Sequence, residues 1–339
     1  MKEIVNISVG IRSVDEILNE SMVIKSQAKY EKAWSEFYNY AKFESEPTEE
    51  TFIRYFDYLK NTRNYASSTM WSIYSMLNHK TQLLFGKKLQ TLYPRLTMLL
   101  KSFESGYVRK KSNIFTKDEI NKFLTSAPDS GEFIHIKAGI VLGFCGGLRC
   151  ADLISIQNSD FEFNEVSGMW VSYCVSKQRG EEIKNKFNVP LEYCEYLERF
   201  DHALHNAGVA EGRIFKAYRC RKDGSGYYTR QVMGIHQLRK FTFKVAEYLK
   251  LPNPASYTGH ALRRSAANVV AEAGASSTMM KQHFNWKSDT TVNKYVDNTN
   301  SGKLVISDMF KNHSPETVSP ETSTRSVTLT NCNNVVIHF

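Results

Sequence analysis

The chain has 339 residues, of which 42% are hydrophobic and 23% charged, and its formal net charge is +9. This length fits two domains of ordinary size, and the composition excludes a chain too polar to form a core. The N-terminal residues lack the apolar segment of a secretory signal, and no run approaches the ~20 apolar residues of a membrane-spanning helix. The basic excess is compatible with a polyanionic partner, without requiring one.

Residues 1–20 are predicted to form a flexible leader, and residues 21–105 a domain of several helices. In this domain Tyr30, Trp34 and Phe37 recur at helical spacing. Packing in a core is the favoured interpretation of such aromatic stripes, and stacking on bases is the alternative. Further helix starts are predicted at Pro47 and at Ser67 or Ser68.

A basic segment at residues 106–115 is predicted to link two domains. Its cations are Arg109, Lys110 and Lys111, and Lys101 precedes it. Two interpretations stay open: a cationic strap along a phosphate backbone, or a solvated linker.

Residues 116–311 are predicted to form the second domain. Its first helix begins at a capping box from Thr116 to Glu119, in which the two side chains bond each other's backbone N–H groups. An apolar stretch that ends at Gly147 predicts a buried helix.

Two paired strands are predicted next, at residues 170–176 and 187–191, from their β-branched and aromatic content. The chain is then expected to return to helices through about Phe310. Residues 312–339 have the Ser, Thr and Pro content of a linker and end in a strand-like segment. That segment is predicted either to add to a sheet edge or to stay disordered.

The cysteines and histidines show no metal-binding pattern. None of the six cysteines forms a C-x-x-C pair, and none combines with histidines at zinc-finger spacing. We therefore expect free thiols in a reducing compartment, and no metal or other cofactor. His202 and His205 lie three residues apart without companion ligands, which favours a solvated helix face.

Four segments of the second domain combine basic, aromatic and glycine residues in a fixed order. They are G-G-L-R-C-A-D-L with Arg149 and Asp152, Lys177 at the end of the first strand, G-H-A-L-R-R with His260, Arg263 and Arg264, and N-W-K with Trp286, followed by Tyr295.

Together these segments resemble the tyrosine recombinase family, the phage-type integrases that include the Crypton transposon enzymes of eukaryotes. The family pattern is an arginine in G-L-R-x-x-[DE]-L, a lysine in a β-hairpin, H-x-x-R, and then a His or Trp nine residues before a tyrosine. Here Trp286 precedes Tyr295 by nine residues, and Arg263 precedes it by 32, as in the family. Each motif is weak alone, whereas their order and spacing are specific.

The resemblance implies a mainly α-helical protein of two domains. The N-terminal one would be a helical, SAM-like core-binding domain, and the second an α-rich catalytic domain with a small antiparallel β-sheet. The implied activity is site-specific cleavage and rejoining of double-stranded DNA through a 3′-phosphotyrosine, without metal or ATP. The implied assembly is a homotetramer on two duplexes, with a dimer on each site and strand exchange through a Holliday junction.

The chemistry explains the residue types that the resemblance assigns. Tyr295 would be the nucleophile, and Arg149 and Arg263 would grip the phosphate oxygens on which charge accumulates. His260 would donate a hydrogen bond or help to deprotonate the tyrosine, whose ordinary pKa is near 10. Trp286 would pack against the site and donate its indole N–H toward the phosphate.

Lys177 would be the general acid that protonates the leaving 5′-oxygen, with Lys184 and Lys186 as alternatives in the same hairpin. Asp152 would orient the basic groups, or form a structural ion pair with them. Contacts with the DNA backbone are further expected from Lys101, Arg109, Lys110, Lys111 and Arg264.

Several alternatives stay open. A second H-x-x-R motif, from His236 to Arg239, lies too far before Tyr295 for the family spacing, so packing or a phosphate contact is expected of it. Tyr257 competes as nucleophile but precedes the matching motif. The rival functions are a type IB topoisomerase, whose family lacks H-x-x-R at its second arginine, and a catalytically silent DNA-binding protein. The expected location is the nucleus of a eukaryote, or the cytosol or nucleoid in a bacterial or viral context.

Overall fold

The computed structural model of the chain describes residues 24–106, 110–175, 184–223 and 225–296. Within these ranges the chain divides into two compact units, and the second begins at Ser112. Both units are mainly helical, and the described strands belong to the second. Among the described residues, no helix combines the length and the apolar character that crossing a membrane requires. The predicted leader and the predicted C-terminal tail lie outside the described residues.

The first unit is built from helices whose aromatic faces meet. Phe37, Phe52 and Phe56 are fully buried, and the rings of Phe37 and Phe52 stack with their centroids 4.6 Å apart. The prediction that the aromatic stripes form a core is therefore confirmed. The helices of this unit are α1 (Ile24–Ala41), α2 (Glu49–Asn61), α3 (Ser67–Phe85), α4 (Leu89–Leu92) and α5 (Pro94–Ser102).

The N-terminus of α3 differs from the prediction. Ala66 is the N-cap residue, with an extended backbone and no side-chain cap hydrogen bond, whereas Ser67 is already helical and buried. The predicted cap at Ser67 or Ser68 is therefore wrong. Because serine is tolerated both at caps and in first turns, residue type alone does not fix such a boundary.

The second unit surrounds a long apolar helix. Its helices are α6 (Lys117–Ser126), α7 (Glu132–Cys145), α8 (Cys150–Leu153), α9 (Leu191–Asn206), α10 (Ile235–Arg239), α11 (Phe241–Tyr248), α12 (Ala261–Glu272), α13 (Ser277–Phe284) and α14 (Asp289–Val296). Helix α7 is buried along most of its length, as its sequence predicts. The predicted capping box of α6 is also confirmed. The Thr116 hydroxyl accepts from the Glu119 N–H at 3.1 Å, and the Glu119 carboxylate accepts from the Thr116 N–H at 2.8 Å.

A three-stranded antiparallel sheet packs beside α7. It consists of β1 (Phe161–Asn164), β2 (Gly168–Cys174) and β3 (Lys184–Val189), in that order. The predicted pairing of the last two strands is confirmed, because Val171 lies opposite Phe187 and both are buried. One face of the sheet therefore completes the core of the unit.

A second sheet contradicts the expectation that only helices follow the first one. It is a hairpin of β4 (Lys216–Cys220) and β5 (Gly226–Val232). The Asp223 carboxylate accepts hydrogen bonds from the N–H of Ser225 at 2.9 Å and from its hydroxyl at 2.7 Å, which favours a tight turn. The strands contain the strand-favouring Tyr228, Thr229 and Val232, but charged and polar residues interrupt them, so the hairpin is hard to recognise in the sequence.

Candidate active site

A glycine turn between α7 and α8 presents Arg149. Gly147 has a φ of +53°, in the left-handed region, and a Cβ added to it would lie 2.2 Å from the ring of Phe284. Both the backbone and the available space therefore require glycine here. The next residue, Leu148, enters the core, and Arg149 is the N-cap residue of α8 with its side chain 22% exposed.

The carboxylate of Asp152 fixes the position of Arg149. It is 1% exposed and lies 3.6 Å from Nη1 of Arg149. It also accepts a hydrogen bond from the Arg149 N–H at 3.3 Å. A buried carboxylate needs a paired cation, so this contact holds both the backbone and the side chain of Arg149. The orienting role and the structural ion pair, which are alternatives in the sequence, describe the same contact.

The guanidinium of Arg263 binds the same glycine turn. The residue belongs to α12 and is only 7% exposed. Its Nη1 donates to the Gly147 carbonyl at 2.7 Å, and its Nη2 donates to the Phe284 carbonyl. Backbone carbonyls from two different segments therefore fix the plane of this guanidinium.

The surroundings of Arg263 disfavour its positive charge. Its pKa is lowered to about 10, first by burial and then by the nearby charge of Arg149, whereas Tyr173, Asp152 and Tyr295 act in the opposite direction. A guanidinium with this pKa is still charged at neutral pH. Two guanidinium groups that repel each other in a partly buried place form a position that favours an anion.

Three aromatic rings stack beside this guanidinium. The rings of Phe284 and Trp286 lie 4.6 Å apart, and those of Trp286 and Tyr295 lie 5.3 Å apart with an angle of 10° between their planes. The Arg263 guanidinium carbon is 5.4 Å from the centre of the Trp286 ring. Trp286 therefore contacts both the predicted nucleophile and one of the two predicted phosphate-binding arginines.

His260 lies at the N-cap position of α12, less than one turn before Arg263, and is exposed. The residue before it, Gly259, accepts a hydrogen bond from the Cys150 thiol at 3.2 Å. Since Cys150 directly follows Arg149, this bond joins the segments that present Arg149 and His260.

The predicted general acid, Lys177, lies outside the described residues. The alternatives Lys184 and Lys186 alternate with the buried Phe187 along β3, and they therefore share the opposite face of that strand. Lys186 also forms an ion pair with Glu162 at 2.6 Å and lies 5.1 Å from the centre of the Trp170 ring.

The predicted DNA-backbone contacts differ in their surroundings. Lys101 in the first unit and Lys110 and Lys111 at its end are exposed, and Arg109 lies outside the described residues. Arg264, by contrast, donates to the carbonyl of Ser112. This bond anchors the start of the second unit to α12 and engages one nitrogen of the group predicted to bind DNA.

The rejected alternatives do not take the positions of the nucleophile or of the second arginine. Tyr257 is buried, and its ring packs against that of Phe115 at 4.6 Å, a core position that disfavours it as a nucleophile. His236 and Arg239 are exposed on α10 and not on the helix that carries Arg263.

Sequence motifs do not single out two residues that shape the site. Phe284 supplies both a carbonyl and a ring to Arg263. Tyr173 is buried near the charged groups and accepts a hydrogen bond from the Asn185 amide at 3.0 Å. The only signal in the sequence is their place in the motif-bearing segments. Among the described residues, no group of three His, Cys, Asp or Glu side chains is placed to hold a metal ion.

The model of the phage integrase family matches residues 113–301, which is more than half of the chain. The chain belongs to the phage integrase family. The matched range contains all four motif-bearing segments, so the predicted relationship to the tyrosine recombinases is confirmed. The tyrosine recombinase XerD of Oceanobacillus iheyensis is 26% identical to this integrase-family chain over 208 residues, which are 61% of the chain and 64% of XerD. The chain thus matches somewhat less than two thirds of the length of this relative.

Solved integrase structures share the fold. The Tn1549 transposon integrase, in complex with circular intermediate DNA, has a TM-score of 0.57 at 15% identity, with 86% of this chain and 95% of the other covered. A lambda integrase dimer bound to a COC′ core site has a TM-score of 0.51 at 15% identity, with 84% and 93% covered. These likenesses concern the fold alone. They confirm the predicted class, a mainly helical protein whose catalytic domain contains small antiparallel sheets.

Proposed function

We propose that this member of the phage integrase family is a site-specific recombinase that cuts and rejoins double-stranded DNA, with Tyr295 as the nucleophile. One arrangement carries the proposal. Arg149 and Arg263 hold two positive charges together, and Trp286 links Arg263 to the ring of Tyr295. This arrangement suits an anion that is attacked by a phenol oxygen.

The proposed reaction conserves the energy of the broken bond. The Tyr295 oxygen attacks the phosphorus, a bond forms between them, and the bond to the 5′-oxygen breaks. The 5′-oxygen leaves with a proton from a general acid, and a 3′-phosphotyrosine remains. A 5′-hydroxyl of another strand then attacks this ester, so rejoining needs no ATP. Arg149 and Arg263 would stabilise the negative charge of both transition states.

The remaining roles are part of the same proposal. His260, exposed at the start of α12, would donate to the phosphate or accept the proton of Tyr295. Lys177 would be the general acid, because Lys184 and Lys186 lie on the face of β3 opposite the buried Phe187. Asp152 would act through Arg149.

The proposed partner is a DNA duplex, in keeping with the core-site DNA of the lambda integrase dimer. A dimer on one site and a homotetramer on two would follow, and light scattering of the protein–DNA complex measures the number of protein copies bound.

The finer kinship with Crypton enzymes and a nuclear location stay predictions, which the relatives named above do not support. Imaging of a fluorescent fusion in the source cell tests the location.

Suicide DNA substrates test the nucleophile. A nick beside the cleavage site lets a short strand diffuse away, so the covalent adduct accumulates and can be resolved on a denaturing gel. Because the target sequence is unknown, a random-sequence library of such duplexes supplies the substrates. We expect an adduct with the parent chain and none with Tyr295→Phe, while both bind DNA equally.

Tyr257→Phe is the matched control, since it removes a hydroxyl from the competing tyrosine, and it should form the adduct. An adduct that survives Tyr295→Phe would refute the nucleophile. Strong binding without an adduct for the parent chain would instead favour the silent DNA-binding protein. Relaxation of supercoiled DNA without joining of two sites would favour the topoisomerase.

A bridging sulfur tests the general acid. A thiolate leaves without prior protonation more readily than an alkoxide, because a thiol is far more acidic than a hydroxyl. We expect Lys177→Ala to cleave ordinary DNA slowly, and to cleave DNA with sulfur in place of the 5′-bridging oxygen at a rate close to that of the parent chain. Lys184→Ala and Lys186→Ala are the controls and should differ little from the parent on either substrate. Recovery of one of these variants instead of Lys177→Ala would reassign the acid.

A further inference from the structure

Arg239, which belongs to the mismatched H-x-x-R motif, lies against the two segments that present Arg149 and His260. A Cβ added to Gly259 would lie 2.9 Å from Cγ of Arg239 and 2.7 Å from Sγ of Cys150. Cys150 directly follows Arg149, and Gly259 directly precedes His260. The side chain of Arg239 therefore passes beside the backbone that carries both predicted site residues.

Hydrogen bonds hold Arg239 in this position. The Thr242 hydroxyl lies 3.3 Å from the carbonyl of Arg239 and 2.8 Å from that of Tyr257, so it ties the end of α10 to the segment that leads to Gly259. On the other side, the Cys150 thiol donates to the Gly259 carbonyl. The place of Arg239 relative to the site is thus set by the fold and not only by its own side-chain conformation.

The guanidinium of Arg239 has no strong acceptor of its own. The residue is exposed, and in the described part of the chain no carboxylate forms an ion pair with it, whereas the exposed Arg199 pairs with both Asp129 and Glu195. Burial raises the pKa of the Cys150 thiol, while the charge and a hydrogen bond of Arg239 lower it, which places the guanidinium next to that sulfur. Because sulfur is a weak acceptor, most of the five guanidinium donors are left for a better one.

We propose that Arg239 is a third guanidinium of the site and contacts a DNA phosphate next to the one held by Arg149 and Arg263. The inference rests on the proposed function, because it requires a DNA strand across the site. Phosphates repeat along a strand, so a strand whose scissile phosphate lies at Arg149 and Arg263 carries its neighbours along the edge of the site. Arg239 positions that strand and takes no part in making or breaking bonds.

The salt dependence of binding to a random-sequence duplex tests the contact without requiring cleavage. The logarithm of the DNA-binding constant falls linearly with the logarithm of the salt concentration, and loss of one phosphate contact reduces the steepness of this slope by about one. We expect this decrease for Arg239→Gln, and a nearly parental slope for Arg239→Lys, which keeps the charge. Arg199→Gln removes the same charge from an ion-paired position and should leave the slope unchanged. Thermal melting of each variant confirms that it folds.

Uncharged methylphosphonates locate the contact. Each is placed at a single phosphate of a suicide duplex whose sequence comes from the adducts of the library. With protein well below saturation, Arg239→Gln should form the adduct about tenfold more slowly than the parent, the effect of losing roughly one charge-assisted hydrogen bond. This difference should vanish on the duplex whose methylphosphonate replaces the contacted phosphate, and that phosphate should be adjacent to the cleaved one.

Each other outcome has a defined meaning. An unchanged slope for Arg239→Gln, or an equal loss for Arg199→Gln, overturns the contact. A rate difference that persists at every methylphosphonate shows that Arg239 acts through Cys150 and Gly259, and it overturns the contact as well. A parent chain that binds DNA and forms no adduct refutes the proposed recombinase, while the comparison of slopes still decides the role of Arg239.

Discussion

At the scale of single residues, Arg263 shows how the chain fixes a charge that it must also leave available. Two of its nitrogens are bound to the carbonyls of Gly147 and Phe284, and its plane lies near the rings of Phe284 and Trp286. Carbonyl oxygens orient a guanidinium without neutralising it, whereas a carboxylate would compete with the phosphate. The lowered pKa of this group is therefore the cost of keeping the charge ready for an anion.

Arg263→Lys tests this geometry while keeping the positive charge. An ammonium is a point charge on a flexible stem and cannot bridge both carbonyls while it also faces a phosphate. We expect adduct formation to slow about 10²–10³-fold, the range for removal of one preorganised donor, while DNA affinity changes little. Rates from suicide substrates and affinities from gel shifts measure the two effects. Arg199→Lys, at an exposed ion pair, should react at the parental rate, and a parental rate for Arg263→Lys would refute the argument.

At the scale of elements, the sequence predicts those features that repeat with a period or a fixed offset. The aromatic core of the first unit, the capping box of α6 and the β2–β3 pair all follow from local patterns. The offsets between Arg263, Trp286 and Tyr295 predict that these residues meet, and the contacts of Trp286 agree.

Features that depend on contacts between distant segments are not predictable in this way. The closeness of Gly147 to the ring of Phe284, and of Arg239 to Gly259, arises where separate elements pack together. The hairpin of β4 and β5 escapes prediction for a local reason, since charged and polar residues interrupt its strand-favouring ones. The spacing of H-x-x-R rejects Arg239 as the family arginine but does not reveal that α10 packs against α8.

Gly147→Ala tests the turn between α7 and α8. Its backbone is left-handed, and the new methyl group would strike Phe284, which also supplies a carbonyl to Arg263. We expect the free energy of unfolding to fall by about 2–4 kcal/mol, from the backbone strain and the overpacking together. Adduct formation should fall as well, even at temperatures where the variant stays folded.

Gly208→Ala is the matched control in the same unit. It has a φ of +67° and nothing within 4 Å of the added methyl group, so the substitution strains the backbone without any steric clash. We expect a loss of about 1–2 kcal/mol and an unchanged rate of adduct formation. Urea unfolding and suicide substrates measure both quantities, and equal effects of the two substitutions would contradict the role assigned to Phe284.

At the scale of the whole molecule, the chain is basic, with 44 Lys and Arg against 35 Asp and Glu. Acid adds to this excess and increases the repulsion between charges in the folded state. Histidines shielded from water also make the folded state less stable in acid, because burial disfavours the protonated, charged ring. Burial lowers the pKa of His135 to about 3, and the charge of Lys244 contributes, while burial also lowers the pKa of His283.

His135→Phe tests how much of the acid sensitivity has this origin. Because the folded pKa is lowered from 6.5 to about 3, the unfolded chain binds the proton first, and stability is lost as the pH falls between these values. The limiting slope from this one group is about 1.4 kcal/mol per pH unit. Urea unfolding of the second unit at several values between about pH 6.5 and pH 4 gives the free energy of unfolding as a function of pH. We expect the slope of this free energy against pH to be smaller in His135→Phe by that amount.

The variant also loses the hydrogen bond to Tyr228, but this loss of stability is the same at every pH, so the slope separates the two effects. His202→Gln changes an exposed ring and should keep the parental slope, and a parental slope in His135→Phe would exclude His135 as the source.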